Sequence, residues 1–596
     1  MCGIVGFVGN RPCSGLLLEG LSRLEYRGYD SAGIGLLGPD GLVIRRAVGR
    51  VAALASLVPE SEHTVGLGHT RWATHGGLEV RNAHPHCDRT GRIAVVHNGI
   101  IDNADALRAR LDPTGAAFIS DTDTEVIAHL IAQAYTGDPM AALQQAIGHL
   151  QGTWGLVVAF ADHPGRLFVA RYGSPLVLGF GDDEVFVASD AQAIARWVDQ
   201  VVHLEDGDQL EIRQGMFASI ACRAVPFHAA EEADMGVHRC FMVKEILEQP
   251  RVLTNALVGR VSDRGVQLAC LVDHPSMRDV SSVVLLACGT SFHAASVGAR
   301  LIERVAHIPA VAKLASEFST DGPMVDPRAL YIAVSQSGET YDTLEALRRA
   351  KGCGAATLGV VNTVDSSIAR EADAGLFVHA GPEVAVASTK AFTAQIATLG
   401  ALALGLAGKP ESGVAVAVRK SLMALPDAVE STLERLRDSA AVTMACRWIV
   451  DANYALFLGR GPSRHVAEEG SLKLKELSYV PCDAYAAGEM KHGPIAMLKK
   501  GTPVVVVVPR DEHRTHMLAN IAEVRARGAR VIALCEPDDV EVARHADLVL
   551  PFDSTHSCLS PVLSVLPMQF LAFRAAELLG LDVDKPRNLA KSVTVA

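Results

Sequence analysis

Apolar positions fall in two textures along the chain. Over roughly the first 240 residues they come in short runs broken by turn residues. Ile93 to His97 reads as a strand ending at Asn98-Gly99, a pair that commonly makes a hairpin turn. Leu156 to Ala161, Leu167 to Ala170 and Val185 to Ala188 read as further strands. Thr124 to Tyr135 has helical spacing, with Asp123 where an N-cap would stand. Strands alternating with turns predict a sandwich rather than a doubly wound sheet. Glu231 to Gly236 is polar and Phe241 to Pro250 looks like one short helix, so a boundary is expected near residue 240.

Beyond it the order becomes strand, loop, helix. Val283 to Ala287 runs into Cys288-Gly289-Thr290-Ser291. Leu330 to Val334 runs into Ser335-Gln336-Ser337-Gly338-Glu339-Thr340 and a helix from about Asp342, and Thr357 to Val361 is a third strand. These are parallel α/β units. The half repeats itself: Gly354-Ala355 recurs as Gly528-Ala529, Ala372-Asp373 as Ala546-Asp547, and Val334 maps onto Val508. The offset is constant (528 − 354 = 547 − 373 = 508 − 334 = 174), which predicts a duplicated domain. The copies differ where Ser335 to Thr340 faces Pro509 to Arg514. Hydroxyls and Gly at a helix start suit a phosphate, and Pro with two carboxylates does not, so one sugar-phosphate site is expected in two copies.

Charge narrows the partners. Lys plus Arg number 55 against 67 Asp plus Glu, and no basic cluster stands out, which argues against nucleic acid. None of the 12 Cys forms C-x-x-C, so core thiols of a reducing compartment are expected rather than a metal site. Met1 to Gly6 has no basic n-region, so no signal peptide is expected. Ala391 to Gly408, between Lys390 and Lys409, holds Thr393, Gln395 and Thr398 and reads as a buried helix, not a membrane span.

Cys2 is the sharpest candidate for chemistry. Removal of Met1 leaves one residue carrying a thiol and a free α-amine, whose reference pKa of ~7.7–8.0 suits it to take the thiol proton. Acting on an amide, that nucleophile needs oxyanion donors, which the Asn98 amide and the Gly99 N–H would supply. Arg71 would fork onto a carboxylate and Asp123 would hold an α-ammonium. In the second half Ser335, Ser337 and Thr340 form an anion cradle or an ordinary N-capped helix start. Lys473 and Glu476 share a helix face, with Lys475 beside them, as a site or as a solvated salt bridge. His492 lies in a turn. Lys591 lies near the end, where apolar Val593 and Val595 predict a docked tail.

These motifs together carry a resemblance. Met1-Cys2-Gly3-Ile4-Val5-Gly6, Glu25 to Gly33 (EYRGYDSAG), Thr70 to His75 (TRWATH) and His97 to Ile101 (HNGII) are similar to class II glutamine amidotransferases. With Ser335 to Thr340, Ala387 to Thr393 (ASTKAFT), Gly488 to Pro494 (GEMKHGP) and Arg587 to Val595 (RNLAKSVTV), nearly the whole chain resembles the glutamine–fructose-6-phosphate aminotransferase (isomerising), or glucosamine-6-phosphate synthase, family. The resemblance implies an α/β multidomain chain. An N-terminal Ntn-hydrolase αββα sandwich (2–240) precedes a linker (241–270), two doubly wound parallel SIS domains (271–425 and 440–580) and a tail (581–596).

The implied activity makes glucosamine 6-phosphate and glutamate from fructose 6-phosphate and glutamine, the first step of hexosamine synthesis. Cys2 would form a γ-glutamyl thioester, with Asn98 and Gly99 on the oxyanion and Arg71, Thr74, His75, Gly99 and Asp123 on glutamine. Ammonia would travel inside the protein past Trp72, which resembles a channel gate. Ser291, Ser335, Gln336, Ser337 and Thr340 would take the phosphate, and Cys288, Gly289, Thr290, Val386, Ser388 and Ala590 would line the rest. His492, lent by a neighbouring subunit, would open the sugar ring. Lys591 would form an imine at C2, Glu476 would move a proton from C1 to C2, and Lys473 would settle charge at the reacting oxygen. The resemblance implies a cytoplasmic homodimer with no metal or organic cofactor and no membrane or nucleic-acid partner.

Departures are Val595-Ala596 at the end, Asp483 in place of Glu, and Cys240 in place of an aromatic residue or His. The insertion typical of eukaryotic members is absent, which implies a bacterial-type enzyme without nucleotide-sugar feedback. A non-catalytic sugar-phosphate sensor would have no use for Cys2, Glu476 or Lys591, and a different acceptor sugar is the remaining alternative.

Overall fold

The computed structural model describes residues 2–112, 118–227, 234–408 and 412–593. Met1, Glu231 to Ala233, Lys409 and Val595 lie outside them, and with them the expectations of methionine removal, part of the polar boundary, a flanking lysine and part of the apolar tail. The chain forms two units, Met1–Glu232 with Ser592–Ala596, and Ala233–Lys591.

In the first unit, period-two alternation builds two antiparallel sheets, of eight and of five strands among the described residues. Along the strand Gly3–Val8, Ile4 and Val8 pack with Val157 and Val169 of the other sheet. Val5 and Phe7 pack on the opposite side with Leu17 and Leu21 of the helix Ser14–Arg23. In the second sheet Val95 and Val158 face Ile127 and Ile131 of the helix Glu125–Ala134. The layers are therefore helix, sheet, sheet, helix.

Two expectations are corrected here. Asn98-Gly99 is not a hairpin turn: the strand runs Ile93–Ile101 and pairs along its length with Gly152–Phe160. Gly99 has φ +134°, and a Cβ there would sit 2.1 Å from the Thr153 carbonyl, so a side chain cannot occupy the position. Asp123 does not cap the following helix, whose N-cap Thr124 makes no side-chain cap bond. Its carboxylate instead accepts from Ile101 N at 2.9 Å, tying the helix start to the strand that carries Asn98.

The second unit holds two five-stranded parallel sheets of like order. Val283–Ala287 lies between Ala310–Leu314 and Leu330–Ser335, followed by Ala356–Val361 and Ala374–Phe377. Ala455–Gly459 lies between Cys482–Ala486 and Pro503–Val507, followed by Arg530–Cys535 and Leu548–Pro551. The repeated Asp has a structural task. Asp373 accepts from Thr357 N at 2.9 Å and Asp547 from Val531 N at 2.8 Å, pinning the last strand to its neighbour in both copies. The segment Phe241 to Pro250 is two helices, Phe241–Leu247 and Gln249–Leu257, because Pro250 sits in the first turn of the second, where a missing N–H costs nothing.

The helix Lys390–Leu406 is buried almost throughout, and Lys390 is ion-paired to Glu248 inside the protein. Among the described residues no helix is long and apolar enough to cross a membrane.

Candidate functional sites

In the first unit Cys2 leads into a strand paired with Val65–Arg71, Gly3 lying opposite Thr70. That register brings the thiol to the residue following its neighbour: Trp72 N–H donates to Cys2 Sγ at 3.4 Å, and the Trp72 carbonyl lies 3.7 Å from it. Burial pushes the thiol pKa up, while the Trp72 N–H and the Arg71 charge draw it down. Asn98, from the facing sheet, donates through Nδ2 to the Cys2 carbonyl at 3.0 Å.

A histidine fixes which way that amide points. The Asn98 Oδ1 lies 3.1 Å from His69 Nε2, which is also 2.9 Å from the His97 carbonyl. Nε2 therefore carries the proton and donates. Burial holds the His69 pKa down at about 3, so the ring stays neutral in this tautomer. His69 stacks on His84 at 4.0 Å, and burial drives His84 well below the ordinary range as well. None of these histidines stood out in the sequence, since lone buried histidines carry no spacing signal.

Arg71, expected to fork onto a carboxylate, is buried and here donates to the carbonyls of His75, Gly76 and Gly77. It thereby holds the loop that carries Thr74 and His75. His75 Nδ1 is 3.3 Å from Thr74 Oγ1 and 4.0 Å from Asp123 Oδ1. Cys2, Arg71, Trp72, Thr74, His75, Asn98 and Asp123 thus form one group, at the start of Gly3–Val8, past the end of Val65–Arg71 and along Ile93–Ile101. The arrangement offers a thiol, a fixed amide donor, a cation and a carboxylate, which suits a zwitterionic amide substrate.

In the second unit the loop after Leu330–Ser335 is built from its own hydroxyls. Ser335 Oγ accepts from Gly338 N and lies 3.0 Å from Thr340 Oγ1, while Ser337 Oγ accepts from Glu339 N at 3.1 Å. Gly338 has φ +68°, and a Cβ would meet Ser366 Oγ at 2.0 Å. The one carboxylate in this turn, Glu339, takes Ser367 N and Oγ at 2.8 and 2.7 Å, so its charge is spent on a helix start. Ser291 Oγ accepts from Gln395 at 2.9 Å. In the other copy Asp511 accepts from His513 N and Glu512 pairs with Arg304.

Lys473 is not a solvated salt bridge. It is buried on the helix Pro462–Ser478, with Nζ 2.6 Å from Glu476 and 3.5 Å from Glu469. Burial opposes its charge, but the two carboxylates hold its pKa up. Lys475 is exposed. Glu469 also accepts from Thr290 Oγ1 at 3.0 Å and pairs with His293 at 2.7 Å, joining this helix to the first turns of the helix Gly289–Ala306, which begins directly after Cys288 rather than after a loop. Thr343 Oγ1 lies 3.8 Å from Cys288 Sγ, whose pKa burial pushes up.

The tail docks, but not through Val593, which is exposed. Asp584 accepts from Phe241 and Met242 N–H at 2.9 and 2.8 Å, and its carbonyl accepts from Val386 N at 3.0 Å. Lys591 Nζ then reaches Glu383 at 2.5 Å, and Glu383 also accepts from Ser388 Oγ at 2.8 Å. Lys591 and Ser388 thus meet on a carboxylate that the sequence reading missed, and Val386 is tied to the same tail through Asp584. His492 is exposed and makes no side-chain bond to this group among the described residues.

Beside Glu383 lies Glu245, whose pKa is pushed up to about 8 by burial first and by Glu383 second. It accepts from Val384 N at 2.5 Å. The folded chain holds this proton up to about pH 8, whereas an unperturbed Glu releases it near 4.5. Between those values the folded state binds more protons, so stability falls as pH rises. Glu245→Gln keeps an oxygen for Val384 and removes the titration, and its thermal midpoint should fall less from pH 5 to pH 8 than the wild type's. Parallel curves would count against a protonated Glu245.

Residues 69–196 match a glutamine amidotransferase domain family, and residues 276–405 and 449–578 each match the SIS domain family. Proteins named glutamine–fructose-6-phosphate aminotransferase (isomerizing) are 45% identical in Symbiobacterium thermophilum and 44% in Thermus thermophilus, in each case over 100% of both chains. The Streptomyces coelicolor protein of that name is 44% identical, again over 100% of both. A solved C-terminal domain of glucosamine-fructose-6-phosphate aminotransferase from Francisella tularensis is 33% identical, with a TM-score of 0.56, over 59% of this chain and 100% of that one.

Proposed function

The chain belongs to the glutamine–fructose-6-phosphate aminotransferase (isomerizing) family, and from that premise we propose how its own residues divide the reaction. The activity is glutamine-dependent amination of fructose 6-phosphate with isomerisation, giving glucosamine 6-phosphate and glutamate.

Cys2, with its α-amine freed by loss of Met1, attacks the glutamine carboxamide. The Asn98 amide and Gly99 N–H receive the oxyanion, and Arg71, Thr74, His75 and Asp123 hold the amino-acid end. Water then releases glutamate from the thioester. The freed ammonia is used at the sugar site through a closed route gated by Trp72, because in bulk water near pH 7 most of it would be protonated and unable to attack.

At the sugar site the phosphate rests among Ser291, Ser335, Gln336, Ser337 and Thr340, and Cys288, Gly289, Thr290, Val386, Ser388 and Ala590 line the carbon chain. His492 of a second copy opens the ring, and the exposure of His492 in its own subunit supports a homodimer. Lys591 condenses with the C2 carbonyl, ammonia displaces it, and Glu476 carries a proton from C1 to C2 beside Lys473. The division into 2–240, 241–270, 271–425, 440–580 and 581–596 goes with these roles. A cytoplasmic setting fits the twelve free thiols.

The observation that carries the reading is the buried Lys591 at the end of a docked tail, gathered with Ser388 around Glu383. The test is incubation of the full chain with glutamine and a panel of hexose 6-phosphates, with the product identified by mass and chromatography. Glucosamine 6-phosphate formed from the fructose ester is expected. An amino sugar formed instead from another ester would replace the acceptor.

A further inference from the structure

Glu383 lies in the loop between Ala374–Phe377 and the helix Lys390–Leu406, with its side chain 0% exposed. Four donors converge on it. Thr389 N and Ala391 N reach Oε1 at 3.0 and 3.1 Å, and Ser388 Oγ and Lys591 Nζ reach Oε2 at 2.8 and 2.5 Å. Of these, Ala391 N–H lies in the first turn of a 17-residue helix and Thr389 is that helix's N-cap, so the helix dipole favours an anion here. Burial opposes the charge, yet the charge and hydrogen bond of Lys591, with Lys390, hold Glu383 down at about 2. Of the other ionisable groups nearby, burial and Glu383 push the Glu245 pKa up to about 8, Glu248 pairs with Lys390, and Lys473 lies between Glu469 and Glu476.

Resting on the reading of Lys591 as the imine-forming lysine, we propose that Glu383 is the fixed counter-ion of the C2 iminium. It keeps the nitrogen protonated so that the C1 proton can leave. The balance of charge supports this. Lys591 ammonium plus the C2 ketone gives Lys591 iminium plus water, so one positive charge faces Glu383 before and after. Ammonia then adds to C2 and the Lys591 amine leaves, and the charge passes to the new C2=NH2 group. When Glu476 takes the C1 proton, the C–H electron pair becomes the C1=C2 bond and the C2=N pair returns to nitrogen. No oxidant or reductant is needed. A carboxylate so well provided with donors does not take the iminium proton itself. Its role is electrostatic, in a desolvated site where a fixed charge acts most strongly.

The experiment incubates the full chain with fructose 6-phosphate and cyanoborohydride, which reduces iminium far faster than neutral imine, and quantifies the adduct on Lys591 by peptide mass spectrometry. Glu383→Gln keeps an oxygen for Thr389 N and Ala391 N and loses the charge. Wild type should label at pH 7.0 and 5.5. The Gln variant should label at least about tenfold less at pH 7.0, one pKa unit's worth, and recover at pH 5.5, where solvent supplies the proton. Glu383→Asp, which keeps the charge, should label closer to wild type than Gln does. Equal labelling of Gln variant and wild type at pH 7.0 overturns the proposal, as does an Asp variant no better than Gln. Wild type without any adduct on Lys591 overturns the lysine assignment itself.

Discussion

Cys2→Ala should lose glutamine hydrolysis and glutamine-dependent amino-sugar formation together, each by roughly four orders of magnitude or more, the scale seen when a covalent nucleophile is deleted. The physical ground is that the described groups packed around the thiol are taken up with other tasks. Asn98 donates, Arg71 is a cation, and His69 and His84 are neutral rings packed into the core with the His69 proton aimed at Asn98. Alanine removes only the sulfur, so the strand pairing of Gly3 with Thr70 and the Asn98 bond to the residue 2 carbonyl persist. The variant should still form the trapped adduct on Lys591, which belongs to the other unit. Glutamine hydrolysis surviving in purified Cys2→Ala would remove Cys2 from the mechanism. An N-terminal extension that blocks the α-amine should inactivate in the same way.

The second large effect is at the other end of the chain. Lys591→Ala should end glucosamine 6-phosphate formation, by roughly three orders of magnitude or more, while basal glutamine hydrolysis continues. The loss has two parts. The imine cannot form, and Glu383 is left buried without the cation that balances it, a deficit that costs several kcal/mol when one partner of a buried pair is removed. The tail itself should stay docked, because Asp584 holds it to Phe241, Met242 and Val386 without help from Lys591. Product yield equal to wild type would end the imine assignment. On the proposed homodimer with a lent His492, mixing Lys591→Ala with His492→Ala should restore part of the activity, since each mixed dimer then holds one intact sugar site. No recovery after confirmed subunit exchange would count against a lent His492.

Much of this was legible in one dimension because it depends on local periodicity. Alternation of two along Gly3–Val8 sends Ile4 and Val8 to one layer and Val5 and Phe7 to the other, and the sandwich follows. The duplicated half was legible because each copy needs the same Asp to pin its last strand. Asn98-Gly99 was misread as a turn because the local preference of Asn-Gly takes no account of a partner strand nine residues long. Asp123 was misread as a cap because a short carboxylate beside a helix start has two donors to choose from, and the distant Ile101 N–H won.

The order of residues alone settled the family and the two classes of layer and supplied the candidate groups for chemistry, because motifs and hydrophobic alternation are properties of neighbours along the chain. The folded arrangement decided which of those groups are charged and what they face. Lys473 and Lys591 are buried against carboxylates rather than solvated, and Glu383 and His69 enter the sites from segments with no motif. Charge state depends on burial and, for Lys591, on a partner 208 residues away, and neither is written in local spacing.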